Sequence, residues 1–106
     1  MAASRITSIT ERLYLNDTAE NIYVTIEADV LTYYHTIVVT LGNQTVTYNV
    51  GFAGSGTTAM SIPPSILNGM TTSISGTANV TLRTYTDSSR TSLVGTTTSY
   101  FTVTCN

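Results

Sequence analysis

Asn21-Ile22-Tyr23-Val24-Thr25-Ile26-Glu27-Ala28-Asp29 decides the fold class. Ile22, Val24, Ile26 and Ala28 share one side of an extended chain; Tyr23, Thr25, Glu27 and Asp29 share the other. Side chains alternate across a strand, so a period of two with both acids on one side marks a half-buried strand and not a helix. The pattern runs on to Leu31. Downstream, Tyr33, His35, Ile37, Val39 and Leu41 line one face of a second strand. Gly42-Asn43 then reads as a hairpin turn. From Thr45 to Phe52 a third strand aligns Val46, Tyr48, Val50 and Phe52, with Gly51 as a candidate bulge.

Further strands follow the same logic. Thr58 to Ile62 is stopped by Pro63-Pro64, because proline cannot donate to a ladder. Pro64 to Asn68 has the length of one helical turn. Met70 to Gly76 reads as a connector, with a short edge strand as the alternative. Thr77 to Tyr85 turns Ala78, Val80 and Leu82 inward, and Asp87-Ser88-Ser89 is a turn. Leu93 to Thr104 is the last strand, with Phe101, Val103 and Cys105 on one face and Gly95 at a bend or bulge. Upstream, Arg5 to Thr10 is a short first strand anchored by Ile6 and Ile9. Glu11 to Glu20 is ambiguous: Leu13 and Leu15 alternate with Tyr14 before an Asn16-Asp17 turn. The expected fold is all-β, an immunoglobulin-like sandwich of about seven antiparallel strands with at most one helical turn, residues 1–106 forming one domain.

Composition agrees. Threonine supplies 23 of 106 residues, charged residues make up 9%, and lysine is absent. Threonine is β-branched and keeps an outer strand face wettable without charge. Net charge is −2, and Arg5, Arg12, Arg83 and Arg90 are scattered, so no basic stripe for nucleic acid is expected. No apolar run is long enough for a membrane span, and the first residues lack the apolar stretch of a signal peptide. The single Cys105 forms no intrachain disulfide and supports no cysteine zinc site. The Asn-x-Thr triplets at Asn16, Asn43 and Asn79 follow from threonine abundance and carry no weight.

Reactive groups are sparse, and no catalytic, cofactor or metal residue is assigned. His35 is the one histidine, so any Ser-His-Asp set would need it as base. Its strand face is shared with Ile37, Val39 and Leu41, which points into a core, with its ring nitrogen expected on a threonine hydroxyl or a backbone carbonyl. Glu27 and Asp29 stand about 7 Å apart on an outer face. A glycosidase pair has that spacing, and so does any solvated strand. Asp17 and Glu20 lack the surrounding ligands of a calcium loop. Gly51-Phe-Ala-Gly-Ser-Gly56 has neither the following helix nor the lysine of a phosphate loop. Tyr23, Tyr34 and Tyr85 fall on outward faces and are candidate glycan or interface contacts.

Four stretches carry a resemblance: Tyr34-His-Thr-Ile-Val-Val-Thr-Leu-Gly42, Pro63-Pro-Ser-Ile-Leu67, Gly76-Thr-Ala-Asn-Val-Thr-Leu-Arg-Thr-Tyr85 and Leu93-Val-Gly-Thr-Thr-Thr-Ser-Tyr-Phe-Thr-Val103. In order and spacing this set resembles an immunoglobulin-like module of tail-fibre and baseplate-associated proteins of siphophages that infect Gram-positive hosts. Met60 stands where that family often has tryptophan, and Thr97 where its last strand has lysine. The resemblance implies a non-enzymatic virion module without cofactor. Its partners would be other tail or baseplate subunits, neighbouring domains and the host cell-wall glycan, not nucleic acid or membrane. It would reside in the phage tail after assembly in the host cytoplasm. A carbohydrate-binding module with a tyrosine-lined site is the rival reading, and a bacterial adhesin domain a third.

Overall fold

The computed structural model describes residues 4–15, 18–69 and 75–105. The turn expected at Asn16-Asp17 lies outside them, as does the expected connector from Met70 as far as Ile74. The chain is nearly all strand: β1 Ser4–Ile9, β2 Arg12–Leu15, β3 Glu20–Ala28, β4 Tyr34–Leu41, β5 Gln44–Asn49, β6 Gly56–Ile62, β7 Ser75–Tyr85 and β8 Leu93–Cys105. One 3-10 helix, Pro64–Gly69, follows the Pro63-Pro64 stop, as expected there. Two sheets face each other, a three-stranded one in the order β1-β3-β6 and a five-stranded one in the order β2-β8-β7-β4-β5.

The expectation of about seven antiparallel strands needs two corrections. There are eight strands among the described residues, and β2 runs parallel to β8, pairing Arg12–Leu15 with Thr102–Cys105. The extra strand lies in the ambiguous stretch after Glu11. Four residues are too few for alternation to declare a strand, and the pairing that stabilises them lies 90 positions away in sequence.

The core forms where the alternating faces of the two sheets meet. Ile22, Val24 and Ile26 of β3 pack with Ile37 and Val39 of β4, Ala78, Val80 and Leu82 of β7, and Phe101 and Val103 of β8, all of them buried. Met60 and Ile62 of β6 and Ile66 of the 3-10 helix complete it. Burying each such aliphatic side chain is worth about 1.5–3 kcal/mol. Val46, placed in the core by its alternation, is only half-buried, because β5 is an edge strand. β5 also stops at Asn49, short of Phe52, so Gly51 lies beyond the strand and is no bulge.

Two irregularities position the rest. Ile6 and Ile9 are an odd number of residues apart, yet both pack against the core. A register shift between Ile6 and Ser8 makes this work: Ile6 lies opposite Ile26, and Ile9 opposite Val24. On β8 the pairing jumps from Tyr85↔Leu93 to Thr84↔Gly95, leaving Val94 as the extra residue beside the expected Gly95 bend. The β4–β5 hairpin turns on Gly42-Asn43, with Gly42 at φ 59°. That positive φ suits a glycine in the first central position of a two-residue turn.

Candidate functional site

The loops 29–33, 50–55 and 86–92 meet at the end of the sandwich where β4 and β8 begin, and this end gathers most of the candidate residues. Backbone bonds stitch it together: the Val50 amide donates to the His35 carbonyl at 3.0 Å, and the Gly54 amide to the Tyr33 carbonyl at 2.8 Å. Arg90, at φ 57°, reaches across the loops. Its Nη2 donates to the Val50 carbonyl at 2.8 Å, its Nε to the His35 carbonyl at 3.3 Å and its Nη1 to the Ser88 carbonyl at 3.2 Å. Its guanidinium also lies 5.9 Å from the centre of the Tyr34 ring. A planar fork of donors suits several carbonyls at once, so Arg90 acts as a clamp.

Asp87 fixes the loop that carries Arg90. Its carboxylate accepts from the Thr91 hydroxyl, the Thr91 and Ser92 amides and the Ser89 hydroxyl. These donors favour the charged form and lower its pKa to about 2, the Thr91 hydroxyl and the Ser92 amide leading. The turn expected at Asp87-Ser88-Ser89 is therefore held by its own acid.

His35 is fully buried, as its strand face required. Its Nε2 lies 2.7 Å from the Ser4 hydroxyl, and its Nδ1 has no partner. The expected threonine or carbonyl partner is thus a serine from the other sheet. Nothing in the sequence around Ser4 announces that role. The Thr97 hydroxyl donates to the Ser4 carbonyl at 2.8 Å, so β1, β4 and β8 meet here. Burial, and secondly the Arg90 charge, lowers the His35 pKa below its ordinary value. Ser4 and His35 have the identities of a nucleophile and a base, but both side chains are sealed from solvent. A base must reach its substrate to act.

The carboxylates are tied up or scattered. Arg5 of β1 pairs with Glu27 across the β1–β3 ladder, and its other nitrogen lies 4.0 Å from Asp29. The two carboxylates that had glycosidase spacing thus share one arginine on a strand surface. Among the described residues no group of three or more His, Cys, Asp or Glu can hold a metal ion, and no helix is long and apolar enough to cross a membrane.

The three candidate tyrosines separate into two places. Tyr34 and Tyr85 are direct cross-strand partners on β4 and β7, half-buried on the outer face of the five-stranded sheet. Tyr23, 58% exposed, stands on the outer face of the three-stranded sheet, opposite Ala59. They do not form one platform. Two further tyrosines, Tyr14 at 53% and Tyr100 at 68%, are exposed without being among the sequence candidates. The signal existed: Leu13 inward forces Tyr14 outward, and Phe101 inward forces Tyr100 outward.

No protein family, curated protein or solved structure matches the chain.

Proposed function

We propose that the chain is an immunoglobulin-like structural or adhesion module of a phage tail-fibre or baseplate-associated protein, without enzymatic activity. The observation that carries the reading is the strand order. Lettered A, A′, B, C, C′, E, F and G in sequence, the strands give A-B-E facing A′-G-F-C-C′, the arrangement of immunoglobulin-like sandwiches with a C′ strand. The burial of the one imidazole supports a non-catalytic role. So does the outer face of the five-stranded sheet, where Thr40, Thr45, Thr47, Thr77, Thr96 and Thr98 offer hydroxyls around the single charge that β7 places there, Arg83, a surface suited to packing beside neighbouring subunits. The gene's neighbourhood tests the reading. A position among tail genes, with immunogold label on the tails of the corresponding particles, is expected. A position remote from tail and lysis genes with unlabelled particles overturns it.

A carbohydrate-binding role is the second reading, favoured by the Tyr34–Tyr85 pair. Titration with host cell-wall polysaccharide should move the signals of both rings, and Tyr85→Ala should abolish the response. Unmoved tyrosine signals would remove this reading.

A further inference from the structure

We propose that β8 is a self-association edge. Two copies of this chain pair antiparallel along Gly95–Phe101, joining their five-stranded sheets across a two-fold axis at Thr98. The inference deepens the reading of the chain as an assembly module and rests on it only for its biological use.

The first argument is hydrogen-bond demand. The Thr102 amide donates to the Glu11 carbonyl at 2.9 Å, so the polar groups of Thr102 face away from β7. Polar groups alternate along a strand, so Thr96, Thr98 and Tyr100 present theirs to the same side. β2 covers that side only at Thr102–Cys105. The bulge at Val94 interrupts the strand at the other end. Between these limits no strand of the described residues covers the edge. Proteins guard such edges with charge, proline or a bulge. Gly95-Thr-Thr-Thr-Ser-Tyr-Phe101 has neither charge nor proline.

The second argument separates β8 from the other edges. β1 is defended by Arg5 and its own register shift. On the β5 and β6 side, the Thr58 hydroxyl donates to the Tyr48 hydroxyl and closes the gap between sheets, with the 3-10 helix packed beside β5. On the β8 side the Thr97 hydroxyl, donating to the Ser4 carbonyl, spans the gap at one point, and beyond it a groove of about 330 Å³ stays open between Ile6, Ile9, Glu11 and Ser99. It continues past Tyr100 and Phe101 into a second groove of about 410 Å³.

The third argument names the occupant. Gly95–Phe101 carries no charge to repel a copy of itself; the nearby carboxylate, Glu11, stands at the Thr102 end beside the grooves, away from the axis at Thr98. The open stretch is centred on Thr98, so a two-fold there sets Thr98 opposite Thr98 and each Tyr100 opposite Thr96 of the other copy. Tyr100, more exposed than Tyr14, thereby gains a β-branched cross-strand partner. The inward residues Gly95, Thr97 and Ser99 are small enough for the joined strands to roof the groove over Ile6 and Ile9.

Sedimentation of the purified chain tests this, with Cys105→Ser as background to remove the native thiol. A reversible dimer is expected, and Thr98→Lys, which sets two ammonium groups across the axis, should return it to monomer with an unchanged circular dichroism spectrum. In the same background Thr98→Cys should oxidise to a disulfide-linked dimer. Hydrogen-bonded antiparallel partners have Cα atoms about 5.5 Å apart, within bridging range. Thr47→Cys on the β5 edge should stay monomeric. If Thr98→Lys fails to fold, the cysteine pair decides. A chain monomeric at every concentration, a dimer indifferent to Thr98→Lys, or a cross-link formed by Thr47→Cys and not by Thr98→Cys overturns the assignment. Those outcomes leave the tail reading standing, since gene neighbourhood decides that separately.

Discussion

His35 sits where protonation is most costly. Its neighbours are the Ser4 hydroxyl from β1 and the Arg90 cation from the 86–92 loop, with no carboxylate bonded to either ring nitrogen. Its pKa is lowered in the folded state, so the unfolded chain takes up the proton first as pH falls. Stability is therefore full above the ordinary imidazole value of about 6.5 and declines below it until the folded pKa is passed. We expect the melting temperature to drop as pH falls below about 6.5, and His35→Gln to flatten that slope. An unchanged slope in the variant would place the titrating group elsewhere. Gly54 offers a second test. Its φ is 78°, and a Cβ built there would lie 2.8 Å from the Leu31 carbonyl oxygen. Gly54→Ala should cost roughly 1–3 kcal/mol by chemical denaturation, from the strained φ alone. Gly51→Ala, with nothing within 4 Å of its Cβ, should be nearly silent. Of the three glycines in the stretch read as a plain loop, Gly56 would press a Cβ on the Phe52 ring at 2.9 Å, but Gly54 is the one where backbone of another segment stands in the way. Sequence could not single it out, because the obstructing atom belongs to another loop.

β3, β4 and β7 were legible because their alternation is strict over a strand's length and both of their neighbours exist. Ile37→Ala or Leu82→Ala, each fully buried, should cost about 2–5 kcal/mol in denaturant unfolding. A loss near zero would mean the register is wrong by one residue. Edge elements were less legible for a physical reason. β2 has four residues, β5 buries only one side of its ladder, and β1 breaks its period at a bulge. The same limit governs the candidate site. Outward tyrosines follow from the alternation, but whether two of them meet depends on which strands are neighbours. Tyr34 and Tyr85 meet because β4 pairs with β7; Tyr23 is left on the other sheet. The 86–92 loop is set by Asp87, whose folded pKa lies below its unfolded one. Its contribution is present above the ordinary carboxylate range and is lost as pH falls through that range toward 2. Asp87→Ala should lower the melting temperature at pH 7 and show less further loss on acidification to pH 3 than the parent chain.

The strand pairs of the five-stranded sheet are closed by very unequal lengths of chain, and this orders their assembly. β4 pairs with β5 across a two-residue turn, whereas β2 must wait for β8, Arg12 meeting Thr102. Closing a loop of that length costs more entropy than a hairpin, and the parallel ladder that compensates it is only four residues long. The β2–β8 pairing should therefore form after the folding transition state, once β7–β8 and β4–β7 have already fixed the edge on which β2 lands. Leu13 reports on it, being buried on β2 and part of the core. Leu13→Ala should cost about 2–5 kcal/mol, enough to divide reliably between rates. Nearly all of that loss should appear as faster unfolding, while Leu82→Ala on β7 should slow folding as well. Stopped-flow denaturant kinetics on both variants measure the division. If Leu13→Ala slowed folding as much as Leu82→Ala, β2 would belong to the nucleus, and the long closure from Arg12 to Thr102 would come early despite its entropy.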